Sequence, residues 1–316
     1  ISAFKDRNGK FFDKDDLKQH HSIANWMIDA LDDFKAFGRA DSITIDPHKL
    51  GYIPYAIGGI LYRDSRSKKF IEKTAPYLSA PSEGTFDPSN LYLGGSSLEG
   101  SRSGAAALAA YLSSRVLSNN ADGYGRLITE TFMNARVFID EMQKFNNKSK
   151  PGEHHIPIRI VNLYDSLTNM VCYLAAPMDL NISAALLNSF NDHLYNEMRA
   201  EQNKLLNDYK FVVSKTFLGY HASENNPGYK TQIDKMITNL GIDDNPDRLG
   251  KDFELVLLRS VFMNPLMTEK TRVEMYNKYF QYLERLADKI LPRIIFEKRL
   301  EENNFKRDKV LWIENQ

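Results

Sequence analysis

The sequence predicts a mixed α/β protein in two parts, the end of a larger sheet domain followed by a small α+β domain. Three observations predict it. Apolar, β-branched runs of strand length recur along the chain, and they alternate with amphipathic helical patterns through the second half. Residues 1–115 supply only two or three such runs, too few for a complete sheet domain of their own. The division falls near residue 125, giving parts 1–125 and 126–316.

Bulk properties narrow the function classes. The chain has 316 residues, with 42% hydrophobic and 26% charged, ordinary for a globular protein with a sizeable core. Lys plus Arg total 41 and Asp plus Glu total 41, so no overall field draws the chain to nucleic acid or an anionic membrane. Small-molecule chemistry becomes the default. The single cysteine, Cys172, excludes an internal disulfide and a Cys-rich zinc cage, and its apolar neighbours suit a buried structural thiol. No apolar run reaches the ~18 residues of a membrane helix, and no signal-like segment opens the chain, which implies a cytoplasmic protein. A first residue of Ile rather than Met implies a processed or truncated chain.

The elements follow in order. Ile23, Trp26, Met27, Ala30, Leu31 and Phe34 recur at helical spacing. Ser42–Ile45 reads as a strand ended by Asp46-Pro47, and the apolar run Tyr55–Tyr62 as its neighbour, joined by a tight loop carrying His48 and Lys49. Residues 74–100, rich in Pro, Ser and Gly, form a long irregular stretch of the kind that serves function. The small residues after Ser101 predict a helix packed very close to a neighbour, and a long helix spans Arg126–Phe145. Strands are expected at Ile156–Leu163, Met170–Ala176, Phe211–Leu218 and Leu255–Met263, with helices at 181–206 and 271–290. Thr271-x-x-Glu274 reads as the capping box of the last helix. This order predicts an antiparallel sheet with helices on one face.

Asp46-Pro47-His48-Lys49-Leu50-Gly51 carries the chemistry. Pyridoxal phosphate needs a lysine amine on a short rigid loop, because one covalent bond and a few fixed contacts hold the ring. Proline fixes the loop's entry and glycine its turn, while the adjacent histidine can contact the cofactor or a substrate carboxylate. By spacing alone, a His-Lys pair after a strand is more often a solvated pair.

The whole string Ala40-Asp-Ser-Ile-Thr-Ile-Asp-Pro-His-Lys-Leu-Gly-Tyr-Ile-Pro-Tyr-Ala-Ile-Gly-Gly59 resembles the cofactor-lysine segment of the group II pyridoxal-phosphate decarboxylases, and is most similar to the bacterial tyrosine decarboxylases. Ser97-Leu-Glu-Gly-Ser-Arg-Ser-Gly-Ala-Ala-Ala107 and Leu257-Leu-Arg-Ser-Val-Phe-Met-Asn-Pro265 match further family segments in the same order. The resemblance implies the fold-type I, aspartate-aminotransferase-like architecture, with pyridoxal 5'-phosphate as cofactor and a homodimer with shared active sites. It implies decarboxylation of an L-amino acid, L-tyrosine first, with aspartate, glutamate and tryptophan open. Lys49 would form the Schiff base, with His48 beside it. Tyr55 would lie near the substrate side chain. Ser260 would select substrate or serve as a plain strand residue, and Arg259 would meet a carboxylate or pair structurally. A mobile-loop tyrosine would protonate the carbon that lost its carboxylate, and Tyr77 and Tyr92 both fit. Ser97 and Ser101 would help bind phosphate, with helix capping the other role for Ser101.

One family feature has no counterpart before Lys49. The His-x-Asp-Ala-type motif that pairs with the pyridinium nitrogen is absent from residues 1–48, so an N-terminal portion of the same protein is the expected partner. His20-His21 and His154-His155 are adjacent pairs pointing apart, unsuited to a metal, and none is expected. Asp32-Asp33, Asp243-Asp244 and Glu301-Glu302 read as solvated charges. Other reactions on the same fold, lyase or amine-oxidase chemistry, and a non-catalytic dimerisation module are the alternatives.

Overall fold

A computed structural model describes residues 4–19, 28, 30–70, 103–148, 156–164, 166–178, 182–201, 205–219, 227–240 and 254–314. The chain forms two compact units, Ile1–Thr129 and Glu130–Gln316.

The first unit carries the short helices α1 (Lys14–Gln19) and α2 (Leu31–Ala36). The two strands β1 (Ser42–Ile45) and β2 (Gly59–Tyr62) pair antiparallel, Ser42 opposite Tyr62 and Ile45 opposite Gly59. Their connection is a thirteen-residue excursion, 46–58, rather than the tight loop expected. The two prolines and the turn within it shorten β2 to its last four residues. Helix α3 (Ala105–Val116) is the small-residue helix, and no residue of it is buried. Leu108, Tyr111, Leu112 and Val116 stand exposed, so the close neighbour that its alanines imply is not among the described residues. The helical face expected over 23–34 lies mostly outside the described residues, as does all of 74–100.

The second unit, with α4 (Arg126–Lys148) leading into it, holds a four-stranded antiparallel sheet in the order β3-β4-β6-β5. The strands are β3 (Ile158–Asn162), β4 (Met170–Pro177), β5 (Ser214–Gly219) and β6 (Glu254–Val261). Helix α5 (Ala184–Met198) follows β4, α6 (Pro227–Asn239) follows β5, and α7 (Glu269–Glu314) ends the chain. Helix α6 is an addition to the expected order, and α7 runs well past 290, with Pro292 inside it. Its cap is also shifted by one turn. Thr268 accepts from the Thr271 amide at 3.2 Å, so Thr271 lies inside the helix instead of capping it.

The expectation of helices on one face is corrected. Tyr173 and Leu174, successive residues of β4, are both fully buried, and successive side chains point to opposite faces. One core joins Phe138, Met142, Tyr173, Leu258 and Phe280, and a second joins Leu174, Leu218, Leu257, Ile233 and Met236. Helices α4 and α7 thus cover one face and α6 the other.

Helix α5 contributes to both cores because it enters the sheet where two strands separate. The β4–β6 ladder runs from Met170↔Val261 to Tyr173↔Leu258, and Ala175 and Val256 would form a pair further along it. Instead Asn191 of α5 accepts from the Ala175 amide and donates to its carbonyl, both at 2.9 Å. Asn188 accepts from the Val256 amide at 2.9 Å and donates to the Glu254 carbonyl at 2.7 Å. Two asparagine amides, three residues apart on one helix, take the place of ladder partners for Ala175, Val256 and Glu254.

Candidate active site

The turn after β1 holds Lys49 by backbone hydrogen bonds. The Lys49 amide donates to the Asp46 carbonyl and Tyr52 to the Lys49 carbonyl, both at 3.0 Å, and Ile53 donates to the Pro47 carbonyl at 3.1 Å. A Cβ on Gly51 would lie 2.5 Å from the Pro47 oxygen and 2.9 Å from its Cα, so only glycine closes this turn without displacing backbone. Tyr52 takes a positive φ of 54°, the bend that buries Ile53 beneath the turn.

One residue that sequence reasoning did not single out completes the support. Tyr124 donates its hydroxyl proton to the Gly51 carbonyl at 3.0 Å, across 73 residues of sequence. A carbonyl has no proton to offer, so Tyr124 must be the donor there, and Ser113 in turn donates to the Tyr124 oxygen at 2.5 Å. No local pattern around Tyr124 announces this contact.

The side chains of the turn face outward. The Lys49 amine is 2.7 Å from an Asp46 carboxylate oxygen, with the lysine side chain 61% exposed. That hydrogen bond and its Coulomb attraction raise the Lys49 pKa above the ordinary lysine range, and the same contact holds Asp46 below the ordinary carboxylate range. His48 donates from Nδ1 to the Ile57 carbonyl at 2.5 Å, which leaves Nε2 as the acceptor of the neutral ring. Its ring stacks on Tyr55 with centroids 4.2 Å apart and 29° between planes. Lys49, His48 and Tyr55 are therefore brought together on one short excursion. Tyr77, Tyr92, Ser97 and Ser101 lie outside the described residues.

The remaining candidates sit on β6 in the second unit. Arg259 and Ser260 are neighbours on a strand, so they point to opposite faces of the sheet and do not converge. Arg259 donates from Nε to the Ser214 hydroxyl at 3.0 Å, and that hydroxyl donates to the Arg259 carbonyl at 3.0 Å. Among the described residues its partner is a hydroxyl, not a carboxylate. Cys172, opposite Arg259 in the ladder, has its thiol pushed up by burial, which suits packing and not nucleophilic attack.

Ser260 lies on the face where Tyr173 is buried. Its hydroxyl is 2.9 Å from that of Tyr173, which is 2.5 Å from that of Tyr279. Burial pushes Tyr173 up to about 12 and Tyr279 well above its ordinary value, so both keep their protons at neutral pH. Proton order then follows from counting. Each buried tyrosine has one proton to place, and an unbonded buried donor costs about 1–3 kcal/mol. Only the order Tyr279 to Tyr173 to Ser260 places both. The Ser260 proton is left to point away from the tyrosine pair, and Ser260 is only half-buried.

Among the described residues, no cluster of three or more His, Cys, Asp or Glu side chains is placed to hold a metal ion. No described helix is long and apolar enough to cross a membrane.

No family model matches the chain. Individual proteins do. An L-tyrosine decarboxylase of Enterococcus faecalis is 30% identical over 287 residues, covering 87% of this chain and 43% of that protein. One of Enterococcus faecium is 28% identical over 285 residues, 88% of this chain and 43% of that protein. The chain is a homologue of the L-tyrosine decarboxylases. The resemblance seen in the lysine segment thus extends across most of the chain, which spans under half the length of these relatives. A probable L-tyrosine/L-aspartate decarboxylase of Methanococcus maripaludis is 32% identical over a shorter 113 residues, 36% of this chain and 26% of that protein. Among solved structures, mouse CSAD in apo form covers 78% of this chain and 40% of its own, at 16% identity and a TM-score of 0.45.

Proposed function

We propose that this chain carries the cofactor-lysine part of a pyridoxal-phosphate-dependent decarboxylase acting on an L-amino acid, with L-tyrosine the leading substrate. The observation that carries the reading is the Asp46–Ile53 turn. It holds an exposed lysine amine beside a stacked histidine and tyrosine, in a chain homologous to L-tyrosine decarboxylases over 87% of its length. In this reading 1–125 is the last part of a fold-type I cofactor domain and 126–316 its small domain. The protein works in the cytoplasm as a homodimer with shared active sites. The contacts for the ring nitrogen and most of the phosphate fall on a further segment of the same protein, in keeping with coverage of 43% of the relatives.

The residues of the turn fit the cofactor on its lysine side. The amine is primary, exposed and anchored on rigid backbone, as a covalent tether requires. When bound, pyridoxal phosphate supplies a sink for the electrons left behind as the carboxylate departs. Lys49 holds the cofactor through its amine, and Asp46 keeps that amine charged until the pair separates. His48 is held at a fixed position by its bond to the Ile57 carbonyl, and Tyr55 limits the movement of its ring. Of the two β6 candidates we favour Ser260 for substrate contact, because its proton is unspent while the Arg259 Nε–H is bonded to Ser214. Ser97 and Ser101 remain the phosphate candidates, and Tyr77 or Tyr92 the proton donor.

The test is direct. The whole protein, with its N-terminal portion present, should turn yellow when incubated with pyridoxal phosphate and release carbon dioxide from L-tyrosine, and Lys49→Ala should abolish both. Carbon dioxide from L-aspartate alone would move the substrate, and oxygen uptake without carbon dioxide would replace the reaction by amine oxidation. A whole protein that stays colourless would leave only the dimerisation module.

A further inference from the structure

On α4 and α7 three buried polar atoms have no hydrogen-bond partner among the described residues: Asn134 Oδ1, Arg272 Nε and the Tyr276 hydroxyl. Their residues are 0%, 8% and 1% exposed. Arg272 and Tyr276 are one turn apart on α7 and share a face. On α4, Glu130, Asn134 and Phe138 likewise share a face. Glu130 is ion-paired to Arg272, and Phe138 packs edge-on against Tyr276 at 5.3 Å. Asn134 lies midway between Glu130 and Phe138 on that face, the level at which α7 presents Arg272 and Tyr276.

The chemistry of the three atoms is restrictive. Asn134 donates from Nδ2 to the Asn264 carbonyl at 2.7 Å, which fixes its amide orientation and leaves Oδ1, an acceptor, as the buried atom without a partner. Arg272 Nε offers a proton and no lone pair. Tyr276 is held protonated by burial, its pKa well above the ordinary value, so it also has a proton to give. An anion would satisfy the two donors but be repelled by Oδ1, and the arginine charge is already matched by Glu130. A cation would be repelled by Arg272. Water both donates and accepts, and a buried water typically makes about three hydrogen bonds to groups otherwise unsatisfied.

We propose that Asn134, Arg272 and Tyr276 form a binding site for one internal water molecule that joins α4 to α7. The water accepts from Arg272 Nε and the Tyr276 hydroxyl and donates to Asn134 Oδ1. It completes a polar seam between the helices that also includes Glu130–Arg272 and Glu141–Asn277. This assignment does not depend on the activity proposed above.

A high-resolution crystal structure of the 316-residue chain should have one compact density peak within hydrogen-bond distance of all three atoms. Water oxygen-17 relaxation dispersion should lose one long-lived water in Asn134→Leu. Because that variant can unfold, Tyr276→Phe is the companion, and it should keep the peak with two contacts in place of three. Direct bonding of the three atoms to one another, with no peak, would overturn the proposal. So would an anomalous bromide signal at the position in crystals grown with bromide, since that would make it an anion site.

Discussion

The β1–β2 pair and the four-stranded sheet are built on opposite plans. No residue of β1 or β2 is buried, and Ile60 and Leu61 are each at least half exposed. In β4, by contrast, Val171, Tyr173, Leu174 and Ala175 are all fully buried, and apolar layers cover both faces. Geometry in the second unit is maintained by packing. At the lysine turn of the first it is maintained by backbone hydrogen bonds, reinforced by Tyr124, which leaves Lys49 accessible. The comparison places the two-sided core in the second unit and the proposed cofactor lysine in the first, and substitutions can break that division.

The largest effect should come from Lys49→Ala. Capture of pyridoxal phosphate, read by visible absorbance, should be lost entirely while the thermal unfolding of the second unit is unchanged. A shifted unfolding curve would mean the two regions are not separate in this way. Phe138→Ala reverses the pattern. Phe138 is 2% exposed and packs against Tyr173, Phe262, Tyr276 and Phe280, so truncation should cost about 3–5 kcal/mol in denaturant unfolding.

Asn191→Leu tests the wedge between β4 and β6. The leucine is similar in size, but it leaves the buried Ala175 amide and carbonyl unpaired, and about 1–3 kcal/mol should be lost for each group. Preserved stability would mean that the strands close the gap themselves. Alkaline unfolding probes the tyrosine pair. Tyr173 has a folded pKa pushed up to about 12 from an ordinary 10. A raised pKa means that the folded state binds the proton more tightly, so this contribution is complete below pH 10 and is lost as pH rises towards 12. Tyr173→Phe should flatten the fall in stability over that window.

The smallest effect is expected from Asp46→Asn. Asp46 raises the Lys49 pKa, so removing its charge should move the onset of lysine reactivity towards an aldehyde to lower pH. An unchanged profile would mean that the exposed pair is screened by solvent.

Much of the site was legible because it is local. Strand, proline, histidine, lysine and glycine lie within ten residues, and the Gly51 turn needs little more than backbone sterics to close. The candidates on β6 were placed on the right strand, but strand periodicity alone put Arg259 and Ser260 on opposite faces, a consequence the motif match did not express. Tyr124 was illegible because its bond to Gly51 crosses 73 residues, and no local propensity encodes a distant partner. Asn188 and Asn191 left a trace, two amides three apart on an otherwise apolar helix face, whose meaning needed the separation of β4 from β6.

By itself the sequence determined where most strands and helices begin, where the lysine turn lies, and which family the chain resembles, because each rests on patterns a few residues long. Tertiary structure decided the rest. It buried β4 on both faces, set α5 between two strands, supported the Lys49 turn with Tyr124 and ordered the protons from Tyr279 to Ser260. Each of these depends on which distant groups are excluded from water together, and that is set only when the chain packs.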